Sequence, residues 1–238
     1  MRNTRILLAL AVTAGFAVQA NAQALTGTLK KIHDSGTITI GQRDASIPFS
    51  YFAKEGTDRS VGYSMDICMK VVDAVKADLK MPDLKVAFVD VTSATRIPLI
   101  ANGTIDLECG STTNSLDREK QVGFTNTYFV TANRYVVKKS SHVKSLADLK
   151  GKTVVSTSGT TNIKWLTEEN GKQNMGMNII PAKDHAEAFL MVETGRAEAF
   201  FMDDILLYSL VASSKSPADY EIGSEAYSVE PYAAMMPK

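Results

Sequence analysis

Asp106-Leu-Glu-Cys-Gly-Ser-Thr-Thr-Asn-Ser-Leu-Asp-Arg118 is the stretch that decides the fold. A strand pattern ends at Gly110 and is followed at once by three hydroxyl side chains, Ser111, Thr112 and Thr113. α/β folds bind ligands where strands end in small polar loops, because backbone N–H groups and short hydroxyls converge there. A polar turn that only closes a strand is the commoner use of such a sequence. Since no catalytic base stands at a familiar spacing, we interpret the run as a ligand-binding loop.

Strand and helix patterns alternate on both sides of this loop. Strand patterns cover residues 37–43, 86–89, 107–109, 133–139, 152–156, 178–180 and 197–202, and residues 122–130 are extended. Helix patterns cover residues 65–79 with Ser64 as the N-cap, 93–102, 146–149, 161–170, 184–194 and 205–213. The alternation predicts an α/β protein with a mainly parallel sheet in each half. Because each half ends a strand in a polar loop at a helix start, we expect two similar lobes that face one cleft.

The composition excludes several classes of partner. The 238 residues are 45% hydrophobic, enough for a sizeable core in one large domain or two lobes. The 26 basic residues balance the 26 acidic ones, so no overall field favours nucleic acid or an anionic membrane. Any preference for a charged ligand must therefore come from a few placed residues.

Residues 1–22 have the pattern of a secretory signal peptide. Arg2 and Arg5 precede a short apolar run over residues 6–18, and Ala20-Asn21-Ala22 supplies a small-x-small cleavage site. The alternative is a membrane anchor, but no later segment approaches the ~18 apolar residues that a span needs. We therefore expect a mature chain that begins near Gln23 and lies outside the cytoplasm, with no membrane insertion after cleavage.

The chain has two cysteines, Cys68 on a helix pattern and Cys109 on the strand before the hydroxyl loop. Outside the cytoplasm two cysteines tend to pair, and a bridge would hold that strand against its covering helix. The alternative is two buried thiols that behave as small apolar residues. We favour the bridge.

Two arginines occupy comparable places, Arg43 at a strand end and Arg96 in the first turn of a helix. A guanidinium binds a carboxylate with two parallel hydrogen bonds, so two arginines can hold both ends of a dicarboxylate. For either one alone, a surface ion pair is at least as good an explanation. Arg96 is the more informative, because its charge opposes the helix dipole.

Other candidate ligand groups are hydroxyls, one histidine and one carboxylate. Hydroxyls can donate to carboxylate oxygens, Asp203 at a strand end can hold an ammonium, and Asp204 suits the cap of the next helix. Ordinary capping and turn bonding explain some of these residues, and most lone histidines are structural. The candidates are Ser111, Thr113, Thr160, Thr161, His185 and Asp203.

Catalytic, metal and cofactor motifs have little support in the sequence. His33, His142 and His185 show no ligand spacing, so we expect no metal. A nucleophile elbow, a phosphate loop and a dinucleotide fingerprint are all missing from the sequence, so we expect no cofactor and no enzyme.

Several short motifs, in order along the chain, resemble one family. The chain is similar to the periplasmic solute-binding proteins that feed ABC importers of polar amino acids, and more narrowly to their glutamate/aspartate-binding branch. The motifs are Val-Gly-Tyr-Ser at 61–64, Thr-Ser-Ala-Thr-Arg-Ile-Pro-Leu at 92–99, Glu-Cys-Gly-Ser-Thr-Thr-Asn at 108–114, Thr-Ser-Gly-Thr-Thr at 157–161, Ala-Lys-Asp-His at 182–185 and Met-Asp-Asp at 202–204.

The resemblance implies a role for each candidate residue. Arg96 would bind the α-carboxylate of the ligand, helped by Ser111, Thr113 and Thr161. Asp203 would bind the α-ammonium. The side-chain carboxylate would meet Arg43, with Ser93 and His185 nearby. Arg118 matches a position that the branch uses near the site, either for the ligand or to join the lobes. Cys68 and Cys109 would form the bridge.

The resemblance also implies an architecture, the type II periplasmic-binding-protein fold with two lobes that close by a hinge motion. We predict a signal peptide over 1–22, lobe 1 over 23–131, lobe 2 over 132–229, and a second crossing strand over 230–238. Family members continue with helices that complete lobe 1, so we expect the chain to be cut short and less stable than a longer one. The implied partners are L-glutamate or L-aspartate and the membrane subunits of an ABC permease, with the binding protein a monomer.

Two other functions compete with transport. An enzyme on the same fold, such as a dehydratase or a peptidoglycan-lytic protein, would need a free acid or base in the cleft. Asp203 is the candidate, and a two-arginine cleft explains it better as an ammonium partner. The extracellular sensor domain of a receptor is a third possibility.

Overall fold

The computed structural model describes residues 25–54 and 56–238. The signal peptide predicted over residues 1–22 lies outside the described residues. In chain order, the elements up to the first crossing are α1 (Gly27–Ser35), β1 (Thr37–Gln42), β2 (Ala45–Ser46), β3 (Ser50–Tyr51), α2 (Tyr63–Asp78), β4 (Lys85–Asp90), α3 (Arg96–Ala101), β5 (Leu107–Glu108), α4 (Leu116–Glu119) and β6 (Gly123–Phe124).

The remaining elements follow the first crossing. They are β7 (Phe129–Lys138), β8 (Thr153–Thr157), α5 (Thr161–Lys172), β9 (Asn178–Ala182), α6 (His185–Glu193), β10 (Ala199–Asp203), α7 (Asp204–Ser213), β11 (Tyr220–Ile222), β12 (Ser228–Tyr232) and β13 (Met235–Met236). Short 3-10 helices cover Lys139–Ser141, Leu146–Leu149 and Pro217–Asp219.

Two sheets form the centres of two lobes. The first has the order β4-β1-β5-β13-β6, and the second has the order β11-β7-β10-β8-β9 with β12 also paired to β7. In the first sheet β4, β1 and β5 run parallel, and β13 is antiparallel to both of its neighbours. In the second sheet β10, β8 and β9 run parallel, and β7 is antiparallel to each strand that pairs with it. The α/β architecture is therefore confirmed, but both sheets are mixed and not mainly parallel, because the crossing segments add antiparallel strands to a parallel centre.

The chain passes between the sheets twice. It leaves the first sheet between β6 and β7, and it returns between β12 and β13. β12 lies antiparallel on β7, from Ser228 opposite Asn133 to Tyr232 opposite Phe129. These two crossing strands therefore form a paired ribbon between the lobes, the arrangement that a hinge requires.

The helical spacing of apolar residues in α2 places its buried face on the first sheet. Met65, Cys68 and Val72 are fully buried and pack with residues of β1 and β5. Ser64 is not the N-cap that the sequence suggested, since the helix begins at Tyr63. The Ser64 hydroxyl instead donates to the Gly110 carbonyl at 2.8 Å, and so fixes α2 to the hydroxyl loop.

Two other local expectations also differ from the structure. The first helix, α1, was not predicted, and it ends at Gly36 in the left-handed region with φ of 63°. Asp204 is the first residue of α7 and not its cap. Its carboxylate lies 3.2 Å from Arg134 and accepts a hydrogen bond from Thr131, because both groups are on the adjacent β7.

Cys68 and Cys109 form a disulfide, so the pairing predicted from the sequence is confirmed. The two cysteines are 41 residues apart in the sequence, and the bridge ties α2 to the start of the hydroxyl loop. The Cys68→Ala/Cys109→Ala variant should lose about 4 kcal/mol of unfolding free energy on the chain-entropy model. Urea denaturation of the oxidised protein and the variant measures this difference, and equal midpoints would contradict it.

Among the described residues, no helix combines the length and the apolar character that a membrane span requires.

Candidate functional site

The carboxyl ends of the parallel strands in the first sheet bring three groups together. Arg43 follows β1, and Glu108 ends β5 beside it, since Gly41 and Glu108 are in register. β4 lies on the other side of β1 and leads through a short loop to Arg96. A Cβ at Gly110 would overlap Oε1 of Glu108 and would lie 2.9 Å from Cγ of Arg43, so glycine lets both side chains lie against the loop without moving.

The second sheet contributes groups from three strand ends in the same way. β8 leads into the Ser158–Thr161 loop, β9 into His185, and β10 ends at Asp203. Thr160 caps α5 by accepting from the Ile163 N–H at 3.2 Å, so it is a structural residue. In both lobes, therefore, candidate residues stand in polar loops between a strand end and a helix start, as the sequence pattern predicted.

The lobes contact each other at the loop of Gly159. Nη2 of Arg118, from the first lobe, donates to the Gly159 carbonyl at 3.1 Å, and Nη1 donates to the Thr113 carbonyl at 2.8 Å. A Cβ at Gly159 would lie 2.5 Å from Cα of Ala94 in the first lobe. Arg118, which is buried, therefore joins the two lobes through a main-chain carbonyl of each.

One end of the cleft is cationic and has more donors than acceptors. Arg43 is completely buried, and none of its three guanidinium nitrogens has a hydrogen-bond partner among the described residues. Burial and the nearby Arg96 lower the pKa of Arg43 to about 10, so it stays charged at neutral pH. Further unpartnered buried polar atoms at this end are Nε of Arg96, Oγ of Ser93, Oγ of Ser111 and Nε2 of His185, with one acceptor, Oε1 of Glu108.

Arg96 has protein partners that Arg43 lacks. Its Nη1 donates to the Ser111 carbonyl at 3.1 Å and to the Thr112 hydroxyl, and lies 3.9 Å from Oε1 of Glu108. Thr112 in turn donates to Glu108 at 2.7 Å. Glu108 therefore balances one of the two guanidinium charges at this end, and one positive charge is left.

His185 contributes a neutral group to the same end. Burial and the charges of Arg43 and Arg96 hold its pKa well below the usual value. The Thr157 hydroxyl lies 2.9 Å from Nδ1. When Nδ1 of a neutral imidazole accepts a hydrogen bond from the Thr157 hydroxyl, the imidazole proton is on Nε2. The Nε2–H group can then donate a hydrogen bond to a ligand oxygen.

The other end of the cleft is acidic. Asp203 is buried, and its two oxygens accept from Nδ2 of Asn162 at 2.7 Å and from the Tyr232 hydroxyl. Burial and the neighbouring Glu230 raise the pKa of Asp203 to about 7, while Asn162, Tyr232 and Arg118 oppose that rise. An ammonium group beside Asp203 would favour its ionised form.

Glu230 on the crossing strand β12 occupies the position between the lobes. Its Oε2 accepts from Thr113 of the first lobe and Thr161 of the second, both at 2.7 Å. The structure therefore brings the candidate residues to one cleft, but with these two hydroxyls directed at Glu230. Sequence reasoning missed Glu230, since Ser-Val-Glu-Pro-Tyr shows only an extended segment, and it also missed Glu108, Thr112, Asn162 and Tyr232.

The raised pKa of Asp203 predicts a pH dependence of stability. The ligand-free protein holds a proton on Asp203 up to about pH 7, whereas the unfolded chain loses it above about pH 4. The unfolding free energy should fall as pH rises from about 4 to about 7, by up to about 1.4 kcal/mol per pH unit, and then level off. Urea denaturation across this range checks it, and Asp203→Asn should remove that part of the slope.

The profile of the bacterial extracellular solute-binding proteins, family 3, matches residues 38–216 of the chain. The chain belongs to this family. The matched range contains the parallel strands of both sheets and all the candidate residues from Arg43 to Asp203. The family expected from the motifs is therefore confirmed.

Relatives of known function are similar along the whole chain. An L-glutamate/L-aspartate-binding protein of Pseudomonas aeruginosa is 51% identical over 100% of this chain and 79% of its own length. A glutamate/aspartate import solute-binding protein of Escherichia coli K12 is 46% identical over 98% of this chain and 76% of its own length.

Solved structures of binding proteins share the architecture. The cysteine-binding protein of Campylobacter jejuni superposes with a TM-score of 0.78 at 26% identity, over 90% of this chain and 81% of that one. The arginine-bound form of truncated ArgBP from T. maritima gives 0.76 at 26% identity, over 88% and 92%. The type II periplasmic-binding-protein fold predicted for this family 3 protein is confirmed.

Proposed function

We propose that this chain is the extracytoplasmic binding component of an ABC importer and that it captures L-glutamate or L-aspartate between its lobes. The mature protein would work in the periplasm as a monomer and deliver the amino acid to the permease subunits in the membrane. The observation that carries the proposal is the buried guanidinium of Arg43, which no described residue pairs. A buried charge without a partner is costly, and a ligand carboxylate would supply that partner.

The charges at the two ends of the cleft are complementary to the two ends of an acidic amino acid. Arg43, Arg96 and Glu108 together leave one positive charge at one end, which suits a side-chain carboxylate. Asp203 lies at the other end and suits the α-ammonium. The names of the Pseudomonas and Escherichia relatives give these same ligands, glutamate and aspartate.

We assign the α-carboxylate to Arg118 in preference to Arg96, the residue expected from the resemblance. Arg118 donates to the Thr113 and Gly159 carbonyls at the junction of the lobes, whereas Arg96 is held beside Glu108 at the other end. Each terminal nitrogen of a guanidinium carries two N–H groups, so Arg118 can donate to a ligand while it keeps its bonds to Thr113 and Gly159. Ser93, Ser111 and His185 would complete the side-chain end, and Thr113 and Thr161 lie at the α end.

A binder without turnover agrees better with the cleft than an enzyme does. A general acid or base has to reach the ligand with a free oxygen. Both oxygens of Asp203 already accept hydrogen bonds from Asn162 and Tyr232, and Glu230 accepts from Ser228 as well as from the two threonines. These hydrogen bonds hold both carboxylates in fixed orientations, which suits recognition of a ligand better than proton transfer to it.

Calorimetric titration of the mature protein with L-glutamate, L-aspartate, L-glutamine and L-arginine tests the proposal. We expect one-to-one binding of the acidic pair at least about 100-fold tighter than of the other two, since a carboxylate pairs with the arginines and an amide does not. Proton NMR of the mixture should show the amino acid unchanged after a day. Equal affinity for L-glutamate and L-glutamine, or steady conversion of the ligand, would contradict it.

A further inference from the structure

Glu230 has a set of contacts that no other described carboxylate of the cleft has. It lies on β12, in the ribbon between the lobes, and only 3% of its surface is exposed. One oxygen accepts from a hydroxyl of each lobe, Thr113 and Thr161, and the other accepts from Ser228. Since the lobes move relative to each other about this ribbon, both threonines can reach the same oxygen only when the cleft is closed.

Glu230 also lies near Asp203 within the second sheet, because β12 and β10 both pair with β7 and the Tyr232 hydroxyl of β12 donates to Asp203. Closure of the lobes takes both carboxylates out of water. Glu230 is the strongest charged neighbour of Asp203, while Arg118 is the cation that acts on both. When Asp203 is ionised, two carboxylates and one guanidinium leave this end with an excess negative charge, and without a ligand cation Asp203 takes up a proton below about pH 7. Two like charges in a low-dielectric site repel each other, and a cation between or beside them removes that cost.

We propose that Glu230 is a specificity-determining residue, which makes closure of the lobes conditional on a ligand that carries an α-ammonium group. This inference rests on the proposed function and deepens it. Asp203 alone would attract an ammonium, but Glu230 adds a penalty for closing around a dicarboxylic acid that has none. In an open cleft water solvates both carboxylates, and the closure marked by the two threonine contacts removes that water, so the penalty falls mainly on the closed arrangement.

The test compares L-glutamate with glutarate, the same dicarboxylate without the amino group. Titrations at pH 8, above the pKa of Asp203, give both dissociation constants for the wild type and for Glu230→Gln, which keeps the size of the side chain and removes its charge. We expect the ratio of the glutarate constant to the glutamate constant to fall at least about tenfold in Glu230→Gln. Glu221→Gln, which removes the same charge beside Lys144 at the surface, should leave the ratio unchanged.

A purely structural role for Glu230 predicts a different result, in which both constants rise by the same factor, and this would overturn the proposal. Wild-type protein that binds neither L-glutamate nor L-aspartate would overturn the proposed function itself, so the two failures are distinct. If Glu230→Gln does not fold, X-ray scattering of the wild type serves instead. Saturating L-glutamate should reduce the radius of gyration and saturating glutarate should not, and equal compaction by both ligands would overturn the inference.

Discussion

Arg43→Met should weaken L-glutamate binding at least about 100-fold and, without ligand, should make the protein more stable. The loss follows from removing a buried guanidinium that pairs with the side-chain carboxylate. The gain follows because Arg43 is completely buried without a partner among the described residues, and an apolar side chain of similar length avoids that desolvation. The burial of a single ion costs a protein several kcal/mol, and the methionine variant avoids that cost. Titration calorimetry and thermal unfolding without ligand measure the two effects.

Arg59→Met is the matched control for this experiment. Arg59 is an exposed arginine of the same lobe, and its guanidinium lies 5.7 Å from the ring centroid of Phe88, outside the cleft. The control should leave the dissociation constant unchanged and lower stability by no more than about 1 kcal/mol. The opposite directions expected for the stability of Arg43→Met and Arg59→Met separate a binding residue from a structural one. A destabilised Arg43→Met that still binds L-glutamate tightly would show that Arg43 is structural.

Gly159→Ala should weaken binding of every ligand at least about 100-fold, because it prevents the lobes from closing. The added Cβ would lie 2.5 Å from Cα of Ala94 and 2.7 Å from the Ser93 carbonyl oxygen, both on the opposite lobe. These are backbone atoms and cannot move aside as the end of a flexible side chain can. Titration calorimetry measures the loss, and X-ray scattering should show that saturating L-glutamate no longer compacts the variant.

Gly195→Ala controls for the backbone cost of the substitution. Gly195 lies in the same lobe with φ of 73°, close to the 76° of Gly159, but a Cβ there would meet nothing within 4 Å. Both variants should therefore lose a similar free energy of unfolding, about 1–2 kcal/mol. Only Gly159→Ala should lose affinity. Equal affinities of the two variants would mean that the Gly159 contact is not needed for closure.

The regular elements of the fold were predictable because their patterns are local. The spacing of Met65, Cys68 and Val72 marks one buried helix face, and strand patterns that alternate with helices imply parallel sheets. α1 was missed because a single buried residue, Ile32, leaves little periodicity to detect. The antiparallel position of β13 depends on pairing with β5 and β6, more than 100 residues away in the sequence, and no local pattern encodes such a pairing.

The site was predictable where a residue follows a strand or begins a helix. Arg43, Arg96, His185 and Asp203 all stand at such boundaries, and the carboxyl ends of parallel strands meet at one edge. Glu230 has no such mark, because its role depends on hydroxyls from both lobes that converge on it only in three dimensions. Which charged side chains of the cleft pair with each other likewise could not be predicted, because the pairing depends on the folded chain.

A crystal structure of the mature protein with L-glutamate tests the central claim most directly. The account predicts one amino acid between the lobes, with its side-chain carboxylate within hydrogen-bond distance of the guanidinium groups of Arg43 and Arg96. Its ammonium group should lie at Asp203 and its α-carboxylate at Arg118. A ligand bound in the reverse direction, or outside the cleft with Arg43 still unpaired, would contradict the account.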